Sequence, residues 1–108
     1  MPHSSKRFDA ELNLVTSRVL QMGGLVESQV NKATSALVDM SSERAAEVLA
    51  VEDQVNQMEV EVDRELSRII VTRQPTAIDL RLLIAISKSI GNLERVGDEA
   101  ARIARTVQ

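Results

Sequence analysis

Residues 73–81 read Arg73-Gln74-Pro75-Thr76-Ala77-Ile78-Asp79-Leu80-Arg81, and their chemistry makes the stretch a sharp break between two helices. Pro75 has no amide proton and disfavours helical backbone in the residue before it, so a helix arriving from upstream ends near Arg73. Thr76 followed by Asp79 resembles a capping box, with Asp in place of the commoner Glu or Gln, so a new helix starts at once. A connection this short makes the flanking helices run antiparallel.

Upstream of the break, Val48, Val51, Val55, Met58, Val62, Leu66 and Ile69 advance by threes and fours, one face of an amphipathic helix. Downstream, Leu82, Ile86, Leu93, Val96, Ala100, Ile103 and Val107, widened by Leu83, Ile90 and Ala104, make an arc broad enough to face two neighbours. A third stripe runs from Phe8 through Leu12, Val15, Val19, Met22, Val26, Val30, Ala33, Leu37 and Met40, until Ser41 or Ser42 caps the next helix. The expectation is an all-α, antiparallel up-down-up three-helix bundle over residues 8–108, after a disordered segment over residues 1–7. At 1.5 Å per residue each helix is about 45 Å long. The last stripe reaches Val107 with no Gly, Asn or Pro to stop it, so the bundle reads as part of a longer chain. Apolar surface left uncovered there would favour self-association. Gly23 and Gly24 each cost the first helix roughly 1 kcal/mol relative to Ala, so they imply close packing, a kink or a tolerated weak spot.

Composition agrees. Hydrophobic residues make up 44% of the 108-residue chain, yet Phe8 is its one aromatic, a core diet that suits packed helices better than a sandwich or barrel. There is no cysteine, and the lone imidazole, His3, stands in the terminal segment, more an unstructured residue than a ligand. No apolar run approaches the roughly 20 residues of a membrane span, and no apolar signal core follows the first residues, so a soluble, cytoplasmic protein is expected. With 13 Lys and Arg against 16 Asp and Glu, and no aromatics to stack on bases, nucleic-acid binding is disfavoured. No Ser-His-Asp or Cys-His set and no glycine-rich phosphate loop is present, so no enzyme is expected.

The chemistry that remains is in carboxylates. Glu52, Asn56, Glu59 and Asp63 are spaced four, three and four apart and share one helix face. Glu94 and Asp98 lie on a line of the third helix with the small residues Ser87, Gly91 and Ala101. Mirrored about Pro75, Glu94 falls opposite Asn56 and Asp98 opposite Glu52, with Glu27 of the first helix near the same height. Such acids repel unless they are solvated, protonated or bridged by a cation, and oxygen ligands suit Mg²⁺, Mn²⁺ and iron. An ordinary solvated acidic face is the competing reading, since any acidic helix can show ExxxD. Arg81, Lys88, Arg95 and Arg102 form a basic stripe at heptad spacing, suited to an acidic partner or to solvent and pairing with Glu99. Two other functions are open to such a bundle. A carboxylate-bridged di-iron enzyme or iron store would use Glu-x-x-His pairs, and no histidine exists beyond His3. A structural coiled-coil spacer would need no acidic cluster at one height.

Three blocks, Met22-Gly23-Gly24-Leu25-Val26-Glu27, Arg73 to Arg81, and Leu93-Glu94-Arg95-Val96-Gly97-Asp98, resemble the signature blocks of the PhoU family. The resemblance runs from about Phe8 to Val107, and Gln-Pro-x-Ala-x-Asp-Leu-Arg at a helix–helix turn is its most specific part. It implies one of two tandem three-helix repeats in a cytoplasmic regulator of phosphate uptake and the phosphate-starvation response. It also implies a phosphate ABC transporter and a sensor histidine kinase as partners, peripheral contact with membrane proteins, and homo-oligomers. The implied ligand is a divalent or trivalent metal ion, whether iron, zinc, manganese or magnesium. The family's metal motif falls on Glu94 and Asp98 and on Glu59 and Asp63, with Glu52 and Asn56 as neighbours.

Overall fold

The computed structural model describes residues 6–108. Among them the backbone forms three helices and no strand: α1 (Lys6–Asp39), α2 (Ser42–Arg73) and α3 (Ala77–Val107). Each helix packs along both others, up, down and up, in a bundle of 57 × 18 × 16 Å. No described helix is long and apolar enough to cross a membrane. Lys6 and Arg7, expected in a disordered lead, are helical, because both are good helix formers placed directly before Phe8. The rest of that lead, with His3, lies outside the described residues.

Both turns are made by side-chain caps and left-handed residues. Met40, at φ 52°, ends α1 and lets the Ser41 amide reach back to the Ala36 carbonyl at 2.9 Å. The Ser41 hydroxyl then accepts from the Arg44 amide at 3.2 Å and opens α2. Gln74, at φ 47°, ends α2 before Pro75. The Thr76 hydroxyl accepts from the Asp79 amide at 3.2 Å and donates to Asp79 Oδ2 at 2.9 Å, the capping-box variant expected from the sequence. Asp79 is buried where first-turn amides and the helix dipole favour a negative charge.

The core has two parts. Toward the Pro75 end it holds Phe8, Val15, Met22, Val26, Val55, Val62, Leu66, Ile69, Leu83 and Ile90. Toward the Ser41 end it is mostly alanine: Ala33, Ala36, Ala45, Ala100 and Ala104 pack with Val48 and Val107. The phase of α1 differs from the expected stripe past Val26. There the buried line passes through Gln29, Ala33 and Ala36, leaving Val30, Leu37 and Met40 exposed. Steps of three and four fit either line, and the alanine line wins because small residues on all three helices let the backbones approach. On α3 the buried line is Leu83, Ile90, Gly97 and Ala104, while Leu82 and Val96, expected inside, form the exposed edge of an arc too broad for two neighbours to cover.

An ion network absent from the sequence reading ties α1 to the end of α2. Arg73 Nε donates to Glu11 Oε1 at 2.8 Å, and Arg68 bridges Glu11 to Glu65. The two guanidinium hydrogen bonds, Arg73 first, hold the Glu11 carboxyl down at about 2. Glycine packing contradicts one of the sequence alternatives. A methyl group placed on Gly23 or Gly24 would meet nothing within 4 Å, so neither residue is there for close approach.

Gly23 also has an ordinary helical φ, so Gly23→Ala should stabilise the bundle by about 1 kcal/mol, raising the melting temperature by about 4–8 °C. A thermal melt no higher than that of the parent would show that the helix needs glycine at this point.

Candidate functional site

The acidic face of α2 and the acidic line of α3 do meet. Glu52, Asn56, Glu59 and Glu94 are half-buried along the α2–α3 seam, and Asp63 and Asp98 stand at its exposed margin. Glu59 is pushed up to about 7, first by a side-chain hydrogen bond shared with Glu94, then by burial and by the charges of Glu94, Asp63 and Asp98. Glu52 is also raised, by burial first and then by Asp98, against the opposing pull of Arg105. The residues singled out on these helices are thus strung along one seam, about 16 Å from Glu52 to Asp63, where Glu94 and Asp98 act on both Glu52 and Glu59.

The pairing is shifted by one turn from the mirror about Pro75. Glu94 meets Glu59 rather than Asn56, while Asp98 remains a charge neighbour of Glu52. The reason is the tilt of each Cα–Cβ bond toward its own helix N-terminus. Side chains of α3 lean toward the turn and those of α2 lean away from it, so each α3 residue meets an α2 residue closer to the turn. Glu27 is exposed. Among the described residues no three acidic or imidazole side chains converge into a ready cage for an ion.

Two residues that were not singled out complete the seam from below. Gln29 of α1 is 1% exposed, and Gly97 of α3 is buried against it. Gln29 Nε2 donates to the Val48 carbonyl at 3.2 Å, which turns Oε1 toward Gly97. Neither Gln29 Oε1 nor Glu52 Oε1 has a hydrogen-bond partner, and both are shielded from solvent. A Cβ built on Gly97 would lie 3.0 Å from Gln29 Oε1 and 3.9 Å from Glu52 Oε1. This polar layer divides the large-residue core from the alanine core. Its signals in the sequence were an amide three residues after Val26 on the apolar stripe and a glycine on the heptad line Leu83, Ile90, Ala104.

The basic stripe lies wholly on the outside. Arg81, Lys88, Arg95 and Arg102 are exposed, Arg95 donates to Asn92 Oδ1 at 2.7 Å, and Arg102 stands 3.4 Å from Glu99. On the other flank of α2 an open groove of about 580 Å³ between α1 and α2 is lined by Arg18, Gln21, Gly24, Gln54, Gln57 and Glu61, among others, away from the acidic seam.

Comparison with known proteins agrees with this architecture. Residues 19–107 match the PhoU domain. The chain is 55% identical over 103 residues to the phosphate-specific transport system accessory protein PhoU homolog of Pseudomonas aeruginosa, covering 95% of this chain and 43% of that one. It is 47% identical over 104 residues to the phosphate-specific transport system accessory protein PhoU of Escherichia coli K12, with 96% and 43% covered. The crystal structure of PhoU from Pseudomonas aeruginosa superposes with a TM-score of 0.91, at 55% identity, over 93% of this chain and 48% of the other. The chain thus spans less than half the length of these curated relatives.

The Glu59 carboxyl, raised from 4.5 to about 7, holds its proton more tightly folded than unfolded. Its stabilising contribution is fully present below pH 4.5 and is lost as the pH rises through 7. With chelator present, folding stability should therefore fall by of order 1 kcal/mol across this window, after discount for partial exposure. Glu59→Gln should remove most of that slope, leaving the smaller part due to Glu52. An equally steep decline in the variant, followed by denaturant titration at several pH values, would assign the effect elsewhere.

Proposed function

Because this chain belongs to the PhoU family, we propose that it is a cytoplasmic regulator of phosphate uptake and phosphate-starvation signalling, a metal-binding helical adaptor between a phosphate ABC transporter and a sensor histidine kinase. The relatives' names, accessory proteins of a phosphate-specific transport system, support the transport side of this reading. The kinase link follows from the family resemblance of the sequence blocks. The observation that carries the metal-binding part is the alignment of Glu52, Glu59, Glu94 and Asp98 on one seam, where Glu94 and Asp98 raise the cost of charge on Glu52 and Glu59.

The donor set fits a metal ion. It is all oxygen, it includes a carboxylate oxygen shielded from solvent and without a partner, and Gly97 places no side chain beside it. Iron, zinc, manganese and magnesium all accept carboxylate oxygens, magnesium and manganese most readily in a site without imidazole or thiolate. A bound cation supplies positive charge to a self-repelling seam and links α2 to α3. Glu94 and Asp98 would move onto it from the exposed side and Glu52 from the inner side, while Asp63, about 16 Å from Glu52 along α2, would serve only a second ion nearer Pro75, together with Glu59. Acidification would weaken the binding as the carboxylates protonate.

The outward basic stripe is the partner face in this reading, suited to an acidic surface on the transporter or kinase. Exposed apolar side chains such as Leu20, Val38, Val71 and Ile78 support self-association as well.

Titration of Mn²⁺, Zn²⁺ and iron against the chain should give saturable binding and a raised melting temperature. Glu94→Gln with Asp98→Asn should weaken binding by more than about tenfold, in line with the loss of charged ligands. Equal binding by parent and double variant, or none by the parent, would return the acids to a solvated stripe. Lys88→Glu with Arg102→Glu should weaken capture by the cytoplasmic parts of transporter or kinase and flatten its salt dependence. Unchanged capture would remove the stripe from the interface.

A further inference from the structure

Two buried oxygens from different helices lie beside Gly97 of the third. Gln29 Oε1 of α1 and Glu52 Oε1 of α2 are both shielded from solvent and unpartnered, and both lie within 4 Å of the point where a Gly97 Cβ would stand on α3. The amide cannot relieve this by turning over, because its Nε2 is held by the Val48 carbonyl at 3.2 Å. An unpartnered buried acceptor costs free energy of order 1–3 kcal/mol, and here two of them stand within reach of the same point. The charged groups acting on Glu52 compound the problem: Asp98, Asp53 and Glu94 are anions, against the single cation Arg105. What these two oxygens lack is a positive charge to face.

We propose that Gln29 is a metal ligand: its Oε1 and the Glu52 carboxylate form the inner end of the cation site, beside Gly97. The ligand class is a small hard divalent cation, Mg²⁺ or Mn²⁺, since the donors are a neutral amide oxygen and a carboxylate. The inference rests on the metal-binding reading above and deepens it. The acidic pairs of α2 and α3 alone would make a two-helix surface site. Gln29 brings in α1, so the ion joins all three helices at the layer between the two halves of the core. Gly97 acquires a reason as well, because a side chain at this point of the Leu83, Ile90, Ala104 line would press on Gln29 Oε1, 3.0 Å from its Cβ.

The test uses the whole chain and Mn²⁺. Gln29→Met keeps the volume and removes the oxygen. Gly97→Ala places a methyl group 3.0 Å from Gln29 Oε1, a contact that the end of a flexible side chain can yield to. Both variants are checked for parental helicity by circular dichroism. Each should bind Mn²⁺ at least about tenfold more weakly than the parent and lose most of its melting-temperature gain on Mn²⁺ addition. In the unsubstituted chain, substoichiometric Mn²⁺ should broaden the side-chain amide resonances of Gln29 before those of the exposed Gln21, Gln54 and Gln57. This readout holds even where a variant fails to fold. If Glu94→Gln with Asp98→Asn loses Mn²⁺ while Gln29→Met and Gly97→Ala keep it, and the Gln29 resonances stay sharp, the metal reading stands and Gln29 is no ligand. If the parent binds no Mn²⁺, both readings fall.

Discussion

The antiparallel pairing of α2 and α3 across Gln74-Pro75-Thr76 is the constraint on which the rest of the molecule depends. Pro75 cannot continue a helix and Gln74 adopts a left-handed conformation, so the chain reverses within three residues. With so little slack, the height of every α3 residue against α2 is set by counting from the turn, corrected for the tilt of the side chains. Glu59 then meets Glu94, Asp98 approaches Glu52, and Gly97 lies beside the Glu52 carboxylate. One added residue in that turn would rotate α3 by about 100° and send Glu94 and Asp98 off the seam.

Much of this was legible in the sequence, and what was not has identifiable physical causes. Both turns and their caps were readable because Pro75, Thr76 with Asp79, and Ser41 act through local backbone chemistry. The apolar line of α2 was readable for a different reason, namely that Val48, Val55, Val62 and Ile69 at heptad steps admit one phase. In α1 two phases compete, and the choice of Gln29 and Ala36 over Val30 and Leu37 is made by neighbours on other helices. The Glu11 clamp was invisible because its arginines lie 57 and 62 residues away. At the candidate site the membership of the acidic group was legible from spacing, whereas the partner of Glu94 was not, since a mirror drawn through Cα positions ignores the lean of the side chains. Gln29 escaped notice because an amide on an apolar stripe looks like an interruption until the opposing residues are known.

The polar layer formed by Gln29, Glu52 and Gly97 is also an instrument of register. A buried polar group within an otherwise apolar seam penalises any sliding that would place it against hydrocarbon, as single buried asparagines do in coiled coils. Here a one-turn slip of α3 would press an alanine, leucine or glutamate side chain against Gln29 Oε1 in place of Gly97. The same group that weakens the core by interrupting it thus narrows the set of alternative packings.

The unequal halves of that core have a consequence for how the molecule opens. The half near Pro75 is filled with Phe8, Leu66, Ile69 and Leu83 and is clamped from outside by Glu11 with Arg68 and Arg73, whereas the half near Ser41 is held largely by alanines. Alanine removes far less apolar surface from water than leucine or phenylalanine does, so the Ser41 half is the weaker cooperative unit. Local unfolding is therefore expected to start at the Ser41 hairpin and to stop at the polar layer. Amide protons beyond that layer would exchange through brief openings of the hairpin, while those nearer Pro75 would wait for the whole bundle to come apart.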